Sequence, residues 1–188
     1  MMPDPWKIKE YIQQTFSNEL KLLIYLCSPS EPDEKIVTEY AEKCDWALFI
    51  DLTERHRILP FIATRKKYIS GKLTSDALSR LNIMLDQHKQ TALFRTNEVF
   101  RLCVLFEQHS LPIMPIKGPV LAWQLYGDVT SRLSHDIDFL APDSSIDAIP
   151  EIMKHAGYDF AKTFTPKQTK YFHSHLTHHF SFYNNTGR

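Results

Sequence analysis

Apolar positions recur at helical spacing from near the start of the chain. In KIKEYIQQTFSNELKLLIYLC, Ile8, Ile12, Phe16, Leu20, Leu23 and Ile24 fall on one stripe, which predicts a helix. The segment SPSEPDE then stops it, because Ser and Pro break helices and the acids suit the N-terminus of the next one. Two shorter helices fit VTEYAEKCDWALFIDLTERHR and, after Pro60, FIATRKKY. From Thr74 to Ser110 there is neither Gly nor Pro, and Leu78, Leu81, Leu85, Ala92, Val99, Cys103 and Phe106 mark an apolar seam. This predicts one long helix or a kinked pair; roughly 35 residues would span about 50 Å if continuous.

The pattern changes at Leu111. LPIMPIKG is a short strand-like run whose two prolines suit an edge strand. PVLAWQLYG returns to helical spacing, and HDIDFLAP reads as a strand buried through Ile137, Phe139 and Leu140. SSIDAIPEIMKHAG reads as a helix capped by Ser144 or Ser145 and closed by Gly157. YDFAKTF and HLTHHFSFYNN supply further strands. The fold class that follows is α+β, or mixed α/β: a helical region over 1–110 ending in a long helix, then a small mixed-sheet core with flanking helices over 111–188.

Composition narrows the function. With 43% hydrophobic residues the chain can bury a core, so it is a globular domain rather than a disordered one. Lys plus Arg and Asp plus Glu are both 22, so no net field draws it to nucleic acid or an anionic membrane. Cys27, Cys44 and Cys103 are too few and too scattered for a disulfide framework or a Cys-x-x-Cys metal site, and they read as buried thiols. The N-terminus lacks a signal-peptide pattern and no apolar run approaches membrane-spanning length, so a cytoplasmic location is expected, with no membrane partner.

The chemistry concentrates in IKGPVLAWQLYGDVTSRLSHDIDFL, residues 116–140. On a strand, Asp136 and Asp138 project from one face while Ile137 turns inward. Two carboxylates held side by side repel unless a proton or a cation lies between them, and a hard divalent ion, Mg²⁺ or Mn²⁺, answers that repulsion. A structural alternative makes Asp136 a cap and pairs Asp138 with Arg132 or a surface lysine. Ahead of the pair, Gly118 stands where a strand turns into a helix, a place where free backbone N–H groups form an anion site. Lys117 is either a charge aimed at phosphate or a solvated strand end. Arg132, four residues before Asp136, can orient a carboxylate or reach a phosphate. Tyr126 reads as packing on the short helix, with base stacking as its alternative. His173, His175, His178 and His179 suggest zinc only weakly, since no cysteine or regular ligand spacing accompanies them, and His135 is a bystander or a substrate contact.

Lys117, Gly118, Leu121, Tyr126, Arg132, Asp136, Ile137, Asp138 and Leu140, in that order, resemble the motif of nucleotidyltransferases of the DNA polymerase beta-like superfamily. More narrowly, they resemble an uncharacterised bacterial nucleotidyltransferase family. The resemblance implies transfer of a nucleoside monophosphate from an NTP to a hydroxyl acceptor, which could be a protein, an RNA or a small molecule. It assigns Asp136 and Asp138 to catalysis and to Mg²⁺ or Mn²⁺, and Lys117, Gly118 and Arg132 to the nucleotide. Pro119 follows the glycine where the superfamily has a serine or a second glycine. A third carboxylate is expected from a later strand, and Asp143, Asp147, Glu151 and Asp159 do not stand where that acid belongs, the alternative being that Asp159 or a residue of a second subunit replaces it. Asn184-Asn185-Thr186-Gly187 reads as a hairpin turn, so the chain is expected to stop before that strand, leaving an open edge suited to a homodimer. Two other classes remain: a degenerate domain that binds nucleotide or regulates a partner, and a D-x-D glycosyltransferase, for which the helical first 110 residues offer no nucleotide-binding region.

Overall fold

The computed structural model describes residues 15–160 and 180–184. The fold is α+β, with helices α1 Asn18–Leu26, α2 Glu34–Ala41, α3 Trp46–Arg55, α4 Leu59–Ile69 and α5 Ser75–Gln108 coming first. Strand β1 (Met114–Ile116), helix α6 (Gly118–Tyr126) and strand β2 (Asp138–Leu140) follow. A 3₁₀ turn at Asp143–Ser145, helix α7 (Ile149–His155) and strands β3 (Tyr158–Phe160) and β4 (Phe182–Asn184) complete the order.

Caps explain why several helices start where they do. The Ser17 hydroxyl accepts from the Leu20 N–H at 3.4 Å, so α1 begins afresh at Asn18 and the predicted stripe is interrupted at Phe16 and Ser17. The part of that stripe before Thr15 lies outside the described residues. The buried face of α1 is Glu19, Leu22, Leu23 and Leu26, while Ile24 is exposed. Glu19 can face inward because its carboxylate accepts the Asp45 N–H at 2.7 Å.

The segment Val37–Arg57, predicted as one helix, is two. Asp45 accepts from the N–H groups of Ala47 and Leu48 and opens α3, while α2 has already ended at Ala41. Proline sets two further starts, since it is tolerated only in a helix's first turn. Pro60 lies there in α4, and Pro150 delays α7 to Ile149. The predicted cap at Ser144 or Ser145 therefore belongs to the 3₁₀ turn instead, where Ser145 is buried. Gly157 (φ 89°) closes α7 as predicted.

The long helix is continuous. Its 34 residues correspond to about 51 Å, and Thr74 caps it by accepting from the Ala77 N–H.

The chain divides into two compact units. One comprises the chain up to Thr96 with Lys117–Asp136, the other Asn97–Ile116 with the chain from Ile137 onward. In the first, α1 packs on α2, α3 and α4 around Leu22, Leu23, Leu26, Phe49, Ile50, Ile62 and Ile69, with Leu81 and Leu85 of α5 in the same cluster. In the second, Leu102 and Phe106 gather with Ile152 and Met153 of α7, and Phe139, Tyr158 and Phe182 pack against them. Strands β1 and β2 pair antiparallel with Ile116 opposite Asp138, and β3 pairs antiparallel with β4 with Tyr158 opposite Asn184. Leu140, predicted as core, is 52% exposed, whereas Phe139 on the other face packs inward.

Candidate functional site

The turn from β1 into α6 is built on two residues at positive φ. Lys117 has φ 55° and ψ −148°, a conformation that costs a side-chain-bearing residue energy, and Gly118 follows at φ 43°. Gly118 and Pro119 are buried, and no side chain caps the first turn of α6. Pro119 carries no N–H and the Leu121 N–H is bonded to the Lys117 carbonyl at 2.9 Å, so an anion at this turn would meet the amides of Gly118 and Val120.

Gly118 also lies close to the segment that carries the acids. A Cβ placed there would stand 3.3 Å from the Ser134 Oγ and 3.6 Å from the Asp136 carbonyl oxygen. The Ser134 hydroxyl in turn donates to that carbonyl at 2.8 Å. The glycine, the serine and the backbone of Asp136 therefore form one tight local contact, in which the glycine's missing side chain is what allows the approach.

Asp136 lies in the bend before β2, and Asp138 is the first residue of that strand, so the strand begins three residues later than the pattern predicts and Asp136 is not on it. Asp136 is exposed and Asp138 half-buried. Arg132 is half-buried and lines a small cleft with His88, Ala92, Arg95, Pro119, Val129 and Ser134. Burial pulls the Arg95 guanidinium below the ordinary arginine value, against the attraction of the nearby Asp136 carboxylate. His88, itself buried, places Nε2 2.6 Å from the Thr130 carbonyl oxygen; since a carbonyl only accepts, Nε2 carries the hydrogen. Asp128 holds the same loop through the Thr130 N–H and hydroxyl, bonds that keep its carboxyl below the usual carboxylate range.

Arg95 and His88 escaped the motif reading. The signal was present in the seam of α5, where Leu81, His88, Arg95 and Leu102 follow at seven-residue steps, so two polar residues occupy positions of a buried row.

The other predicted residues have the following places. Tyr126 is 51% exposed at the end of α6 rather than packed, and His135 is exposed. Asp143 opens the 3₁₀ turn, Asp147 and Glu151 are exposed, and Asp159 is exposed on β3 opposite Tyr183. Cys27, Cys44 and Cys103 are free and half-buried, and burial, with Glu19 and Asp45 nearby, pushes Cys44 up to about 12. The residues His173 to His179 and the turn after Asn184 lie outside the described residues.

Among the described residues no group of three His, Cys, Asp or Glu side chains is close enough to hold a metal ion. Two carboxylates still fit Mg²⁺, which keeps several waters and takes further oxygens from substrate phosphates. The carboxylates of Asp136 and Asp138 offer oxygen donors of the kind that hard ion takes. No described helix is long and apolar enough to cross a membrane.

An open helix N-terminus at Gly118, with a carboxylate-bearing bend against it, suits a protein that handles phosphate esters. A family model described as uncharacterised nucleotidyltransferase matches residues 42–187, and the chain belongs to that family. The match takes in α3, α4 and α5 as well as the motif, so these helices are part of the family's region. No curated protein and no solved structure matches the chain.

Proposed function

We propose that this nucleotidyltransferase-like chain transfers a nucleoside monophosphate from an NTP to a hydroxyl acceptor and releases pyrophosphate, with Asp136 and Asp138 holding Mg²⁺ or Mn²⁺. The observation that supports this reading best is the contact of Gly118 with Ser134 and the Asp136 backbone, which brings an anion-binding turn and a metal-binding acid into one local structure. The bound ion would supply charge neutralisation at the phosphate oxygens.

The chain's own groups do the rest. The Gly118 and Val120 N–H groups donate to phosphate oxygens, and Lys117 adds a positive charge beside them. Arg132 orients the phosphates or the acids from the cleft. The acceptor is a protein side chain, an RNA end or a small molecule. The site works in the cytoplasm, and the edges of the two-stranded sheets give a second copy of the chain a surface for pairing into a homodimer.

The test is to incubate the chain with each α-labelled NTP, Mg²⁺ or Mn²⁺ and a cell extract, and to follow where the label goes. Label covalently attached to an extract component, and lost in Asp136→Asn, is the expected result. Nucleotide bound but never transferred would make the chain a nucleotide-binding or regulatory domain, and the failure of every NTP to bind would overturn the proposal.

A further inference from the structure

We infer that Arg95 and Arg132 form a paired-guanidinium subsite for the substrate's phosphate chain, Arg95 being a contact that no motif in the sequence assigns. The inference rests on the nucleotidyltransferase reading for its ligand, and on geometry for its residues.

Arg95 stands on α5 and Arg132 in the loop before β2, yet both line one cleft, together with Pro119 from the first turn of α6. Ala92, a buried residue one helical turn from Arg95, lines the same small cleft. Arg95 occupies a seam position where an apolar residue would pack at no electrostatic cost, and burial there disfavours its charge. Among the described residues neither guanidinium forms an ion pair. Asp136 attracts Arg95 without closing on it. Two forked cations lining one cleft beside the first turn of α6 match the planar, multidentate recognition of a phosphate chain, whose charge would repay the burial of Arg95. A partner for Asp136 alone would need only one arginine and no cleft.

The test uses the full chain and inorganic tripolyphosphate as probe, with affinity measured by calorimetry with and without Mg²⁺. Wild-type chain should bind it, and Arg95→Met and Arg132→Met should each weaken binding at least about tenfold, as expected for loss of a charge-assisted contact. Arg95→Lys keeps the charge and the stem but not the fork, so it should fold like wild type and still bind more weakly. If Arg95→Met fails to fold, Arg95→Lys decides the matter: wild-type affinity in that variant overturns the inference. So does a wild-type chain that binds no tripolyphosphate. NTP binding that is lost in Asp136→Asn but untouched in both Arg95 variants would sink the subsite and leave the proposed function standing. Tripolyphosphate binding that depends on Arg95, in a chain whose NTP affinity ignores Asp136→Asn and Mg²⁺, would do the reverse.

Discussion

The two units are held by different means. The first has a cluster of fourteen buried apolar residues, among them Leu22, Phe49, Ile50, Ile62, Ile69 and Leu81 at 0% exposure. Among the described residues of the second, Leu102, Phe106, Ile152 and Met153 form a buried apolar cluster, and a polar clamp joins it. In that clamp the Arg101 guanidinium donates to both Glu98 oxygens, at 2.9 and 2.6 Å, and to the Ala156 carbonyl at 3.1 Å, while the Tyr158 hydroxyl donates to Glu98 at 2.7 Å. The ion pairs of the first unit, Arg65–Glu31 and Arg80–Asp51, lie on exposed carboxylates, whereas Glu98 is buried. A buried, satisfied carboxylate network fixes geometry more firmly than an exposed pair does.

The sharpest way to break this comparison is a cavity in the larger cluster. Phe49→Ala should cost about 3–5 kcal/mol, because a fully buried ring leaves a space that its neighbours only partly fill. Hydrogen exchange resolved by residue should show the loss of protection across α1 to α4. Met153→Ala, in the smaller and more accessible cluster, should cost less, about 2 kcal/mol, and show in the second unit. Equal costs would deny the contrast.

Next comes the clamp itself. Glu98→Gln should destabilise the second unit by about 1–3 kcal/mol, since it weakens the charged bonds from Arg101 and Tyr158. It also predicts a pH dependence. The Arg101 bonds hold the Glu98 carboxyl below the ordinary glutamate value of 4.5, and the Tyr158 bond helps, against burial. A depressed carboxylate contributes stability that is present above 4.5 and lost as the pH falls through its lower folded value. Protection of Tyr158 and its neighbours should therefore decline below about pH 4.5 in wild type and stay flatter in Glu98→Gln. An unchanged pH profile in the variant would remove Glu98 from that role.

The site was legible in part, and the reasons are local. The order β1, α6, β2, with Gly118 at the turn and Asp138 on β2, could be read from a short continuous stretch, because strand alternation, helical spacing and turn residues act over a few positions, whereas Asp136, read onto the same strand, lies in the bend before it. Boundaries that depend on a single cap or proline were less legible: Asp45 divides a run that is apolar throughout, and Pro150 shifts α7 by several residues. The stripe drawn through Ile24 failed because a four-residue period was carried across Ser17, and because Glu19 is buried on a hydrogen bond to Asp45, 26 residues away. Arg95 and His88 needed the tertiary structure, since their neighbours Arg132, Ser134 and Thr130 lie some 40 residues along the chain and no local pattern announces that meeting.

Smaller effects probe the turn that separates the site from its scaffold. Gly118→Ala should cost about 1–2 kcal/mol, as the new methyl meets Ser134 at 3.3 Å and a side chain at φ 43° is strained. Because Ser134 holds the Asp136 carbonyl, NTP affinity should fall with it, whereas a surface glycine such as Gly71, with nothing near its Cβ position, should tolerate alanine. The smallest expected effect has the opposite sign. Lys117→Gly should raise the melting temperature, consistent with relief of about 1 kcal/mol at φ 55°, while weakening nucleotide binding. A stabilised variant with unchanged NTP affinity would return Lys117 to a solvated strand end.

The most direct test of the central claim is the Mg²⁺ dependence of NTP affinity in wild type, Asp136→Asn and Asp138→Asn, measured by calorimetry on chains shown to melt alike. The account predicts that Mg²⁺ strengthens binding to wild type and that either substitution abolishes this gain, because each removes one of the two carboxylates proposed to hold the ion. A Mg²⁺-dependent affinity that survives both substitutions would contradict it.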